Sequence, residues 1–62
     1  MKFVLSFSMD NATFDEVPSA EATRILREIA DRIEYHPHFS PGHGQPVRDV
    51  NGNEIGFFTV EE

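Results

Sequence analysis

The chain has 62 residues, with 11 acidic and 5 basic side chains, a formal net charge of −6 and no cysteine. A chain this short forms one domain that buries only about 60% of its unfolded surface, and without cysteine it has neither disulfides nor thiolate metal sites. The negative charge disfavours sequence-independent nucleic-acid binding and favours basic partners, and no segment reaches the ~20 apolar residues of a membrane span, so we expect a cytoplasmic protein with no membrane or direct nucleic-acid partner.

Residues 2–9 alternate between the two sides of an extended chain. The members of one face are all apolar: Phe3, Leu5, Phe7 and Met9. Because successive side chains of a strand point to opposite faces, this period of two predicts a half-buried strand. In the polar segment that follows, Phe14 and Val17 are expected to pin the connection to the core.

A helix is predicted over residues 20–35, where apolar residues recur at steps of three and four. Ser19 is the predicted N-cap, and Glu21 would lie in the first turn, where the helix dipole favours negative charge. Pro37 ends the helix because the residue before a proline avoids the α region. Residues 36–46 hold three prolines and two glycines, which predicts a loop.

Two β-prone runs within residues 47–60 flank the triplet Asn51-Gly52-Asn53. Asparagine and glycine tolerate the positive φ values of tight turns, so this segment is predicted to form a β-hairpin. A calcium loop is disfavoured because the glycine stands two positions too early for an EF-hand.

Two registers compete for this hairpin. A type I turn with Gly52 as a bulge would oppose Arg48 to Glu54 and Val47 to Ile55, whereas a two-residue loop would shift the partner of Val47 by three positions. We favour the first register because it puts Asp49 at the start of the turn and glycine at the left-handed position, and because it pairs opposite charges across the strands.

The fold class is therefore α+β, in the order β-α-β-β, with one helix packed on a three-stranded sheet. The predicted core consists of Phe3, Leu5, Phe7, Ile25, Leu26, Ile29, Ile33, Val47, Ile55 and Phe57. Val4, Phe58 and Val60 are expected on the opposite face, which no second helix covers. An uncovered apolar face is often an association site, so these three residues are the predicted interface of a homodimer or a protein-binding face; the alternative is that the long loop, or Tyr35 and Phe39, fold over them.

Acidic residues are the candidate partner-binding residues, because they cluster on both sides of the nearly balanced helix. The set consists of Asp10, Asp15, Glu16, Asp49 and Glu54. We expect them to meet a basic surface of another protein.

His36, His38 and His43 are the one group that resembles a metal site. A proline separates the first two, and no carboxylate in the loop could orient a ring, so an exposed loop is favoured and no metal or other cofactor is expected. No serine triad, Walker loop or GxGxxG motif occurs. We expect a protein that is not an enzyme.

Three motifs resemble those of small accessory proteins of tailed bacteriophages and prophages. They are DNATF at 10–14, RILREIA at 24–30 and DVNGNEIG at 49–56. The resemblance implies a protein that acts in the cytoplasm of a bacterial host by binding a host protein, and that could inhibit a defence system such as CRISPR–Cas. The alternatives are a homodimeric structural or assembly protein of a phage and, less favoured, a metal- or small-molecule-binding module.

Overall fold

A computed structural model describes residues 1–62 as one helix packed with a three-stranded antiparallel sheet. In chain order the elements are β1 (Lys2–Phe7), a 3₁₀ helix (Ala12–Phe14), α1 (Pro18–Glu34), β2 (Gly44–Arg48) and β3 (Glu54–Glu61). The sheet order is β1-β3-β2, so β3 is central and the two other strands form the edges. The predicted α+β class is confirmed. The helix does not combine the length and apolar character that a membrane span requires.

β1 ends at Phe7, two residues before the predicted end. Beyond it, the Ser8 hydroxyl accepts a bond from the Asp10 N–H at 3.4 Å and donates one to the Asp10 carboxylate at 3.1 Å. Such local side-chain bonds offer the backbone an alternative to the strand ladder. Met9 therefore lies outside the strand and is 45% exposed.

The helix begins two residues earlier than predicted, and Ser19 is not its N-cap. Val17 occupies the N-cap position without a side-chain cap, and Pro18 is the first helical residue. Proline suits that position because its φ is fixed at a helical value and its missing N–H would have no partner there. The pyrrolidine ring, rather than a serine hydroxyl, thus sets the start of α1.

The hairpin has the favoured register at the turn and at the pair Arg48–Glu54, but not beyond Glu54. The Gly52 N–H donates to the Asp49 carbonyl at 3.0 Å, Gly52 has φ +86°, and Arg48 opposes Glu54 as predicted. Val47, however, pairs with Gly56 rather than with Ile55, because β3 carries a bulge at this point. The alternation of apolar and polar residues in the sequence gave no indication of this extra residue.

That bulge reverses the faces predicted for β3. A one-residue shift moves every following side chain to the other side of the sheet. Phe58 and Val60 are 1% and 3% exposed, opposite Leu5 and Phe3 on the helix-covered face, whereas Phe57 is 54% exposed. The predicted interface positions Phe58 and Val60 are therefore core residues, and Phe57 is not.

The core lies between α1 and the inner face of the sheet. Its buried members are Phe14, Ile25, Ile29, Val47, Phe58 and Val60. Leu5, Phe7, Ile33, Phe39 and Ile55 are partly buried and pack against this core. Leu26, predicted in the core, is 49% exposed. The buried stripe of α1 runs through every fourth residue from Glu21, which leaves Leu26 on its flank.

Candidate functional site

Two long-range contacts gather the acidic segments at one end of the molecule. The Ser8 N–H donates to the Ile55 carbonyl at 2.9 Å, and the Asn11 amide donates to the Asp49 carboxylate at 2.9 Å. These bonds hold the connection after β1 against the hairpin turn. They place four exposed carboxylates in one region, here called the acidic end: Asp10, Asp15, Glu16 and Glu54.

The 3₁₀ helix presents two of these carboxylates. Asn11 caps it by accepting bonds from the Thr13 N–H, at 3.0 Å, and from the Thr13 hydroxyl. Phe14 anchors it, since its ring is 3% exposed and stacks on Phe7 at a centroid distance of 6.3 Å. Phe14 thus pins the connection as predicted, and the next two residues, Asp15 and Glu16, project into solvent.

Asp49 was predicted to bind a partner, but it is only 4% exposed. Its Oδ1 accepts bonds from the N–H groups of Asn51 and Asn53, both at 2.9 Å. Its Oδ2 accepts from the side-chain amides of Asn53 at 3.2 Å and Asn11 at 2.9 Å. Burial raises the pKa of Asp49, but these hydrogen bonds outweigh it and hold the pKa below its ordinary value. Asp49 organises the acidic end from within and is not part of its surface.

Glu21 is the second buried acid, and its predicted place in the first turn of α1 gave no indication of burial. It is 7% exposed and bonds Arg24 at 2.6 Å, while its other oxygen accepts from the Val50 N–H at 2.9 Å. The bond from Arg24 lowers the pKa of Glu21, burial opposes this, and the Val50 N–H lowers it further. Glu21 therefore ties the hairpin turn to the first turn of α1. The spacing of Glu21 and Arg24 is a signal for an ion pair, but burial depends on the hairpin that covers them.

Two arginines of α1 already bond acidic side chains of the same helix. Arg24 bonds both Glu21 and Glu28, and Arg32 bonds Glu28 at 2.6 Å. Glu54 has only a loose partner, since Arg48 lies 4.0 Å away and both side chains are at least half exposed. Exposed pairs of this kind are worth little.

No ion pair involves the other three members of the acidic end, Asp10, Asp15 and Glu16. Their negative charge is therefore left without a basic partner in the molecule.

A surface groove of about 560 Å³ lies between the 3₁₀ helix and the start of α1. Its lining includes Asp15, Glu16 and Val17. Val17 is 58% exposed, so it does not pin the connection as predicted, and Val50 in the hairpin turn is 62% exposed. Carboxylates beside exposed methyl groups suit a lysine or arginine side chain, whose apolar stem and charged head need both kinds of contact.

The three histidines do not assemble into one site. His36 and His43 lie with ring centroids 3.9 Å apart, and the His36 Nδ1 accepts a bond from the His38 N–H at 3.2 Å. The structure contains no group of three or more histidine or acidic side chains arranged to hold a metal ion. His43 instead packs near Phe58 at 5.9 Å, at the opposite end of the sheet from the hairpin turn.

Of the predicted interface residues, Val4 alone remains accessible, with 38% of its surface exposed. It lies on the outer face of the sheet, the face away from α1, one strand away from the exposed Phe57. The best-defined candidate site is therefore the acidic end.

Comparison with protein-family models, curated proteins and solved structures found no match to the chain.

Proposed function

We propose that this chain is a non-enzymatic binding protein whose acidic end contacts a basic surface of another protein. The observation that carries the proposal is the set of exposed carboxylates without ion-pair partners at Asp10, Asp15 and Glu16. A concentrated surface charge steers an oppositely charged partner and fixes its orientation.

Charge alone does not supply the affinity of such a contact, because each exposed ion pair contributes only about 0–1 kcal/mol. The exposed side chains of Val17 and Val50 add apolar area next to the carboxylates. A partner that presents lysine or arginine beside apolar residues would contact both the carboxylates and these apolar side chains.

Reversal of two charges tests the proposal. The variant Asp15→Lys/Glu16→Lys alters exposed side chains that make no ion pair, so its fold is expected to persist. We expect the wild-type chain, immobilised in a bacterial lysate, to retain one or a few basic proteins at moderate salt and this variant to lose them.

The matched control, Glu34→Lys/Glu62→Lys, makes the same change in net charge at exposed positions away from the acidic end. It is expected to retain the same proteins as the wild type. Equal loss in both variants would show that only net charge matters, and equal retention in both would place the binding site elsewhere.

The resemblance to tailed-phage accessory proteins supports a finer proposal, in which the partner belongs to a bacterial host. A nucleic-acid-binding component of a defence system, such as CRISPR–Cas, has the basic groove that an acidic surface would occupy. We expect expression of the wild-type chain and of the control variant to restore plaque formation by a phage that the host system targets, and the acidic-end variant to leave it suppressed. Full interference in the presence of the wild-type chain would remove this finer proposal, while the lysate experiment tests binding independently.

A further inference from the structure

The rest of the molecule covers the β2 edge of the sheet but not the β1 edge. At the β2 edge, Pro46 has no N–H to expose, and its carbonyl accepts a bond from Arg32 at 2.8 Å. The carbonyl of Arg48 on the same edge accepts a bond from Arg24 at 3.3 Å. A proline and two arginines of α1 thus close this edge against further strands.

The β1 edge has no such protection. The Ser8 N–H points to β3, and backbone direction alternates along an antiparallel strand. The N–H and carbonyl groups of Phe3, Leu5 and Phe7 therefore point away from β3. No loop or side chain bonds them, so β1 offers a complete row of free donors and acceptors.

The side chains of β1 are also incompletely covered. None of its six residues is buried, and Phe3 and Val4 are 42% and 38% exposed on opposite faces. On the inner face Phe14 stacks on Phe7 and the ring of Phe39 lies 5.9 Å from that of Phe3, but this cover is incomplete because Phe3 stays partly exposed beside the edge. An additional strand beside β1 would cover apolar surface on both faces.

We propose that this edge pairs with β1 of a second copy of the chain, in antiparallel orientation, to give a continuous six-stranded sheet. With Leu5 opposite Leu5 of the second copy, Phe3 would face Phe7 across the new junction, and about six backbone hydrogen bonds would form.

The local charge at the edge suits a second copy as the occupant, although two chains of net charge −6 repel each other weakly over longer distances. Lys2 is the one charged residue of β1 in a chain whose net charge is −6, so the edge itself is free of the acids that would repel another copy. Lys2 pairs only loosely with Glu61 of its own chain, at 3.8 Å between exposed side chains, and in the antiparallel arrangement it would also lie beside the segment that leads to Asp10 of the other copy. The two acidic ends would then lie at opposite ends of the dimer and stay accessible.

A backbone methyl group tests the pairing without altering any side chain. Chemical synthesis of the 62-residue chain with N-methylated Leu5 removes one outward donor and places a methyl at the edge, while the monomer loses no hydrogen bond. By sedimentation over a hundredfold concentration range, up to about 1 mM, we expect reversible dimerisation of the unmodified chain and a dimer Kd at least ~10-fold higher for the methylated one.

The matched control carries the same methyl on the Gly44 nitrogen, at the β2 edge, and is expected to dimerise like the unmodified chain. Amide exchange adds a second measurement: protection of the Phe3, Leu5 and Phe7 amides should rise with concentration, while that of Gly44 should not. Phe57→Ser, which removes an exposed ring from the outer face, should leave dimerisation unchanged.

A chain that stays monomeric at every concentration would overturn the proposal. A dimer that survives methylation of Leu5 but is lost on Phe57→Ser would also overturn it, because the interface would then be the outer face. Circular dichroism confirms that each form is folded before its association is compared.

Discussion

At the scale of one residue, Gly56 occupies a position of β3 that has no room for a side chain. A Cβ built on Gly56 would lie 2.1 Å from the Ser6 carbonyl oxygen and 2.5 Å from the Cα of Phe7. These are backbone atoms of the neighbouring strand, which cannot move aside as the end of a flexible side chain can. The close approach of β1 and β3 therefore depends on glycine at this position.

We expect Gly56→Ala to lower the free energy of unfolding by at least about 2 kcal/mol, because overpacking against rigid atoms forces the strands apart. Urea denaturation measures the change. Gly52→Ala is the control, since the added Cβ would meet nothing within 4 Å and only the φ of +86° is unfavourable; it should cost about 1 kcal/mol. A Gly56→Ala variant as stable as the control would contradict the close approach.

The burial of Asp49 and Glu21 depends on residues that are distant in the chain. Asp49 was correctly placed at the start of the turn, where aspartate bonds the following N–H groups. Its burial depends on Asn11, which lies 38 positions away in the chain. No local sequence pattern contains that contact. Asp49 was therefore predicted on the surface, although the N–H and side-chain amide groups that donate to its carboxylate enclose it.

At the scale of elements, α1 has Val17 at its N-cap and not the predicted Ser19. Ser19 lies inside the helix and makes no capping bond, so Ser19→Ala should change the free energy of unfolding by less than about 0.5 kcal/mol. A serine that capped the helix would cost about 1 kcal/mol when replaced. Thermal and urea unfolding of the variant distinguish the two cases.

The matching substitution is Val17→Ser, which supplies a hydroxyl at the observed N-cap. It should stabilise the protein by about 0.5–1 kcal/mol, because the free N–H groups of the first turn gain an acceptor. A loss of stability in Ser19→Ala together with no gain in Val17→Ser would place the start of the helix at Ser19 after all.

The sheet edges show how strongly one element depends on another. Pro46 alone marks β2 as an edge strand, and that much is readable from the sequence. The arginines that cover the carbonyls of β2 are separated from their acceptors by 14 and 24 positions. Only the packing of α1 decides that β2 is the protected edge and β1 the open one.

For the whole molecule, the carboxylates that accept hydrogen bonds in the folded protein predict that stability falls in acid. The pKa values of Glu21, Glu28 and Asp49 are all lowered in the folded protein. Each group therefore binds its proton less tightly when folded. Its contribution is complete above the ordinary values, 4.5 for glutamate and 3.8 for aspartate, and is lost as the pH falls through the lower folded-state values.

Urea unfolding at a series of pH values measures this dependence. The variant Asp49→Asn has one titrating group fewer and should show a flatter decline below the ordinary carboxyl range, on top of a lower stability at neutral pH. The lower stability follows because the new amide would face the Asn11 amide, whose oxygen is already bonded to the Thr13 N–H. Equal slopes for the variant and the wild type would contradict the role given to Asp49.

For the whole molecule, the salt dependence of binding distinguishes the two proposed interactions. Binding of a basic protein by the acidic end should weaken as salt screens the attraction between opposite charges. Pairing of two copies, each of net charge −6, should strengthen because the same salt screens their repulsion. Opposite salt dependences are therefore expected in the capture and sedimentation experiments.

The sequence by itself determined the α+β class, the element order, the turn at Gly52 and the pairing of Arg48 with Glu54. These features follow from periodicity, proline and glycine, which act within a few residues. The tertiary structure alone decided that Phe58 and Val60 are buried, that Asp49 lies inside the acidic end, and that β1 is the open edge. The physical reason is that one bulged residue at Ile55 and a few bonds between distant segments set which face, charge and edge meet solvent.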